Sequence, residues 1–302
     1  MTETPKYLSI DIGGSSIKYG LLDHAGQLME RNKVITPQSL DPFVEKIIEI
    51  VNAYSDRIKG VAICAPGKID PRDGRIYYGG ALTFLDKLSL PEKIHQRFGQ
   101  DLIVTVENDG KCAALSELWL GNLHGIENGA AIVLGTGVGG GLIIDGHLYR
   151  GSHFQAGELS FMPSYGTKND ILKNNYGIDG SAVKMVKKIA KHYEFDPNDG
   201  LKAFKKIKKG KKYANKVFNH YCYGIAELIF AIQSVIDVQR YVIGGGISAQ
   251  PLVTKRIRHY LKKMVAKQAT ISHPEIMTAR FHNDANLYGA LYNLLLNVNN
   301  EL

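Results

Sequence analysis

Three short glycine-rich stretches constrain this chain more than any other feature: "DIGGSSIKYG" (11–20), "LGTGVGGG" (134–141) and "IGGGIS" (243–248). Each abuts an apolar run with strand character, so each predicts a strand ending in a turn. Glycines in such a turn let successive backbone N–H groups converge on an anion, because no Cβ blocks the approach. The second stretch holds a formal G-x-G-x-x-G at Gly135, Gly137 and Gly140. That pattern marks a dinucleotide site only where the glycines open a helix. Here "LIIDGHL" follows, apolar and β-branched, ending in the hairpin signal Asp145-Gly146. The next element is a strand, and the dinucleotide reading fails. A Walker A loop fails too, since no G-x-x-x-x-G-K-[ST] occurs in the sequence.

The order of elements carries a second message. "YLSIDIGGSSIKYGLLD" predicts two strands around Gly13-Gly14, and residues 41–57 predict an amphipathic helix behind an Asp cap. Strands follow at 60–67 and 101–109, then a helix at 110–121. The pattern starts over at 129–151 with strand, glycine turn, strand, turn and strand. Helical stretches run from Ser181 to about Ile236, a buried strand occupies 240–248, and an amphipathic helix covers 284–298. A hairpin that recurs after about 120 residues predicts two related α/β halves facing a cleft. With the last helix packing back on the first half, the expected domains are 1–110 plus 284–302, and a larger one of 111–283.

Composition excludes several classes. The chain of 302 residues is 44% hydrophobic and 22% charged, with no apolar run long enough to span a membrane. Its N-terminus lacks the regions of a signal peptide, so a cytoplasmic location is expected. Cys64, Cys112 and Cys222 are far apart in apolar surroundings and read as buried free thiols. The net charge of +8 comes from residues 181–216, where twelve lysines face Glu194, Asp196 and Asp199. Apolar residues interleave these lysines at helical spacing, which predicts a solvated helix face and no nucleic-acid partner.

The first turn also holds a carboxylate, Asp11, and a cation, Lys18. Together with three glycine turns they point to a nucleotide held between the halves. "VENDGKCAALSEL" (106–118) adds Asp109 at the end of a strand, where an α/β fold presents residues to its ligand. Asp109 is also suited to cap the helix that follows, as is Asn108. An acidic residue in this place can accept the proton of a hydroxyl that attacks a nucleoside triphosphate.

Six motifs in order now resemble a known family: Asp11-Ile12-Gly13-Gly14, "APG" (65–67), "ENDGKCA" (107–113), "LGTGVGGGLIIDGHLYRG" (134–151), "AGE" (156–158) and "IGGGIS". From Tyr7 to about Leu296 the chain is similar to the ROK family of repressors, uncharacterised reading frames and kinases. The resemblance implies a two-domain α/β chain of the ribonuclease-H-like, actin/hexokinase-type ATPase fold, with the active-site cleft between the domains. It implies an ATP-dependent sugar kinase whose Mg2+ arrives with ATP. Gly13, Gly14 and Ser15 would approach the phosphates with Lys18 nearby, and Asp11 would orient magnesium through water. Gly135, Thr136 and Gly137 would form the second phosphate turn, and Gly244, Gly245 and Gly246 would line the adenosine. Asp109 would be the general base for a sugar hydroxyl, usually the 6-OH. Asn108 and Glu158 would bind other hydroxyls, with Gly67 and Gly80 at the sugar loop. Such chemistry needs mainly positioning, charge neutralisation and one proton acceptor. Family members are commonly homodimers.

The departures sharpen the substrate. Kinases of the family commonly follow Gly-Glu with Gly-His and a cysteine-rich zinc cluster. Here Ser160-Phe161 replace Gly-His, residues 157–183 contain no Cys or His, and Asn175 aligns loosely with a glutamate of the pattern. No structural zinc is expected, and the lost ligands normally fix the sugar's anomeric end. Phe161, with Tyr165 and Tyr176, is a candidate stacking platform for an aglycone or a second sugar; loop packing is the other reading. Zinc-less members with an aromatic after "AGE" and a "GGA" (79–81) resemble bacterial β-glucoside kinases, which phosphorylate cellobiose-like sugars. N-acetylmannosamine kinase and glucokinase are the alternatives. A regulator without catalysis is more remote, because the ten residues before Asp11 cannot form the helix-turn-helix that such members carry ahead of the first glycine motif.

Overall fold

The computed structural model describes residues 4–164, 173–268 and 270–299. Along the chain come β1 (Lys6–Ile12), β2 (Ser16–Asp23), β3 (Leu28–Ile35), α1 (Leu40–Asn52), β4 (Gly60–Ala65), β5 (Lys68–Asp70), β6 (Arg75–Tyr77), α2 (Leu90–Phe98), β7 (Ile103–Asn108) and α3 (Asp109–Trp119). Then follow β8 (Gly129–Leu134), β9 (Val138–Ile144), β10 (His147–Tyr149), α4 (Tyr176–Asp179), α5 (Ala182–Tyr193), α6 (Gly200–Lys208) and α7 (Lys212–Ile236). The chain ends with β11 (Arg240–Gly244), α8 (Pro251–Val265), β12 (Glu275–Thr278) and α9 (Ala285–Val298).

Ten of the strands form two five-stranded sheets of orders β3-β2-β1-β4-β7 and β10-β9-β8-β11-β12, and β5 and β6 pair in a two-stranded sheet. In each, an antiparallel hairpin is followed by parallel neighbours: β1 pairs antiparallel with β2 and parallel with β4, and β8 does the same with β9 and β11. The recurrence seen in sequence is thus a repeat of sheet topology. Asp145 and Gly146 take φ of 51° and 77°, the left-handed pair that a tight turn between twisted strands requires.

Packing divides the chain into two compact units, one of residues 1–120, 147–156 and 284–302 and the other of 121–146 and 157–283. Residues 111–120 and 147–156, assigned to the second half by pattern alone, therefore belong with the first. The reason is close helix packing: a Cβ on Gly289 of α9 would fall 1.8 Å from the Cys112 carbonyl of α3, so only glycine lets the helices meet. In the first unit, β4 reads as a continuous apolar run because both faces are covered, while β1 also buries Ser9 and Asp11. Leu8, Ile10, Val61 and Ile63 pack with Phe43 and Ile47 of α1. Tyr7, Ala62 and Cys64 pack on the other side with Cys112, Leu291 and Leu294. Ser39 takes the N-cap position of α1, and Asp41 falls within its first turn. There a carboxylate still faces the positive end of the helix dipole.

In the second unit, α5 and α6 bury Met185, Val186, Ile189, Phe204 and Ile207. Lys184, Lys187, Lys188, Lys202 and Lys205 are exposed, as expected of a solvated face. The three cysteines are free and buried. Among the described residues no helix is long and apolar enough to cross a membrane.

Candidate functional site

In the first unit the parallel strands β1, β4 and β7 end at one edge of the sheet, and the predicted polar residues stand at those ends. Asp11 is 5% exposed and both of its oxygens are engaged. Lys18 Nζ lies 3.0 Å from Oδ2, and Asn286 of α9 donates to Oδ1 at 2.9 Å. The turn at Gly13, Gly14 and Ser15 has its carbonyls occupied from behind. Thr36 Oγ1 donates to the Gly13 carbonyl, Gln38 Nε2 to that of Gly14 and Thr36 N to that of Ser15. Gly14 and Ser15 are exposed. A turn whose carbonyls are held from behind suits an anion.

At the end of β7 the sequence leaves two candidates for the cap, and the structure separates them. Asn108 Oδ1 accepts from the N–H groups of Gly110 and Lys111, and its Nδ2 donates to the Gly67 carbonyl at 2.9 Å. Asn108 is the N-cap of α3, so Asp109 is not needed for capping. Asp109 is exposed at its surface. Protein around its carboxylate nevertheless desolvates it and pushes its pKa above the usual value, a rise that Asp11 reinforces and that Gly110 N–H and Lys111 oppose. Gly67 has φ of 97°, and a Cβ there would fall 2.6 Å from the Tyr77 carbonyl. Gly80 is exposed, also with positive φ.

The second unit places its glycines at the ends of adjacent parallel strands, β8 and β11. Gly135 N donates to the Gly137 carbonyl, and the Gly135 carbonyl accepts from Ala182 N at the start of α5. Thr136 is exposed at the tip. Gly245 takes φ of 86°, with its α-carbon so close to β8 that a Cβ would lie 2.2 Å from the Leu134 carbonyl. Gly244 and Gly246 flank it, and Ser248 Oγ donates to the Gly245 carbonyl. The second and third glycine stretches are therefore neighbours.

Downstream, Glu158 is half-buried and Phe161 is 73% exposed. Ser160 turns inward: its Oγ accepts from Val138 N and donates to the Val138 carbonyl, both at 3.1 Å, clasping the turn at Gly137. Asn175 caps α4 by accepting from Ile178 N. Tyr176 is buried, and burial pushes its phenol up to about 12, so it forms no exposed platform. Tyr165 lies outside the described residues. Among the described residues no group of three or more His, Cys, Asp or Glu side chains is placed to hold a metal ion.

Sequence reasoning missed Asn286, the inward role of Ser160, and the pairing of buried Glu107 with half-buried Arg150 at 2.8 Å. Glu107 had a signal in its neighbourhood, since it precedes the Asn108-Asp109 pair. Asn286 had none, for it meets Asp11 only through the fold.

The ROK family model matches residues 7–296, and this chain belongs to the ROK family. A β-glucoside kinase of Listeria innocua is 28% identical over 306 residues, covering 96% of this chain and 97% of that protein. A ROK family protein of Streptococcus pneumoniae, solved in complex with sucrose, matches with a TM-score of 0.87 and 28% identity over 98% of this chain and 99% of that one. A ROK family glucokinase from Streptomyces griseus, solved with glucose and AMPPNP, matches with a TM-score of 0.81 and 25% identity over 95% and 98% of the two chains. The fold is accordingly the α/β, actin/hexokinase-type fold of the ROK hexokinases. The named kinases among these relatives are phosphotransferases with an alcohol acceptor.

Proposed function

We propose that this chain is an ATP-dependent sugar kinase that phosphorylates the 6-OH of a hexose or hexoside, specifically a β-glucoside such as cellobiose. The observation that carries the reading is Asp109, a residue at a strand end whose neighbour Asn108 does the capping and whose carboxyl pKa desolvation pushes above its ordinary value. In this reading Asp109 accepts the proton of the attacking hydroxyl. Asn108 fixes the first turn of α3 and holds Gly67, and its second amide N–H and Glu158 bind other hydroxyls. The turns at Gly13, Gly14 and Ser15 and at Gly135, Thr136 and Gly137 bind the phosphates of ATP, the amides of Gly13 and Gly135 being used inside the turns on the carbonyls of Ser16 and Gly137. Lys18 adds positive charge, and Gly244 to Gly246 admit the adenosine because no side chain fills that space. One carboxylate at the end of β1 suits a hydrated ion that arrives with ATP. Magnesium would neutralise charge on the phosphates, and Asp11 would meet it through water. The 28% identity to a β-glucoside kinase and the exposed ring of Phe161 support a glucoside acceptor.

An ADP-release screen with MgATP over cellobiose, aryl-β-glucosides, glucose and N-acetylmannosamine tests the reading. Highest kcat/KM on a β-glucoside is the expected result. A kcat/KM for N-acetylmannosamine or glucose that exceeds every glucoside overturns the substrate, and no turnover on any sugar overturns the kinase.

A further inference from the structure

Lys111 stands two residues past the proposed base, in the first turn of α3, and is 1% exposed. A buried ammonium at the positive end of a helix dipole is unfavourable unless its head is tied. Its Nζ donates to the carbonyl of Phe154 at 3.2 Å. Phe154 lies in the strap of residues 150–156, to which the proposed mechanism gives no role. Other bonds fix the same strap. Arg150 donates through Nε to Glu107 at 2.8 Å and through Nη2 to Asn293 at 2.9 Å. The Arg72 guanidinium, paired with Asp70 of β5, lies 5.4 Å from the centre of the Phe154 ring. Inside the strap, the amides of Phe154 and Ala156 donate to the carbonyls of Gly151 and Arg150.

Phe154 itself has φ of 60°, a conformation costly for a bulky residue and kept only where neighbours hold it. Those neighbours belong to the proposed sugar side: α3 just after Asp109, and the hairpin β5–β6 that follows Gly67. In chain order the strap also leads directly to Glu158.

We infer that Lys111 is a positioning residue that latches the strap 150–156 to the first turn of α3, and that the latched strap sets affinity for the sugar. The inference rests on the sugar-kinase reading for its second half only. The probes are the best acceptor from the screen, MgATP, and the variants Lys111→Met and Lys111→Arg. Losing a hydrogen bond from a charged donor predicts a rise in sugar KM of about 10- to 100-fold for Lys111→Met. The KM for MgATP should stay within about twofold. Lys111→Arg keeps a charged donor and should recover most of the loss. An unchanged sugar KM, or equal rises in both KM values, overturns the role in affinity.

Hydrogen exchange of the ligand-free protein reads the latch without catalysis. Exchange at the Phe154 and Ala156 amides should quicken about tenfold or more in Lys111→Met, with α7 unaffected. Unchanged exchange overturns the latch whether or not any sugar is turned over. If Lys111→Met does not fold, Lys111→Gln serves in both measurements with the same expected directions. Full turnover by Asp109→Asn would sink the kinase mechanism while leaving the exchange result to judge the latch.

Discussion

At the strand ends of the first unit the polar groups are side chains: Asp11, Lys18, Asn108 and Asp109, each tied into a hydrogen bond, that of Asp109 accepted from Gly110 N. At those of the second unit they are mostly backbone, with Gly137 and Gly245 where a Cβ would collide and Gly135 facing open space. The same sheet topology thus supports two kinds of site. A side chain such as Asp109, which does not cap the helix, can be altered with little effect on the fold, so its loss should appear in kcat. Backbone approach cannot be altered without moving the chain, so damage in the second should appear in stability and nucleotide affinity together.

The largest expected effect is that of Asp109→Asn, which should lower kcat by about 100- to 10,000-fold. Calorimetric titration should show that sugar still binds; near-normal turnover would break the division between the units. A pH profile sharpens the same point. The base acts only when deprotonated, and its pKa is raised by desolvation, so kcat should fall on acidification at a higher pH than an ordinary aspartate gives. An acid limb at or below the usual carboxylate range would remove Asp109 from the role.

Gly245→Ala comes next. With φ of 86° and a Cβ 2.2 Å from the Leu134 carbonyl, it should cost about 1–3 kcal/mol or more and lower Tm by several degrees. The KM for ATP should rise with it, and a stable variant with normal ATP affinity would contradict the backbone account. The smallest effect is expected at Phe161, the exposed exception on the second unit. Phe161→Ala should raise KM for cellobiose and aryl-β-glucosides about three- to tenfold and leave glucose unchanged. Equal losses on all sugars would make the ring a packing element.

The strands and turns were legible because their signals are local. Apolar runs, glycines and the Asp145-Gly146 pair fix backbone conformation within a few residues. The Asn108-Asp109 pair was legible as a site, but the choice of which residue caps α3 was not, since either side chain can reach the same amides. Asn108 caps because its amide is also held by Gly67, 41 positions away. Tyr176 and Phe161 look alike in sequence, and only packing buries one and exposes the other.

The sequence by itself determined the family, the repeated sheet with glycine turns at its strand ends, and the identity of the carboxylate at the end of β7. Tertiary structure alone decided that α3 belongs with α9, that Asn286 completes Asp11, that Ser160 faces the glycine turn, and that Lys111 reaches Phe154. A backbone turn is chosen by the residues that make it, whereas a side chain finds its partner among groups that only the folded chain brings near.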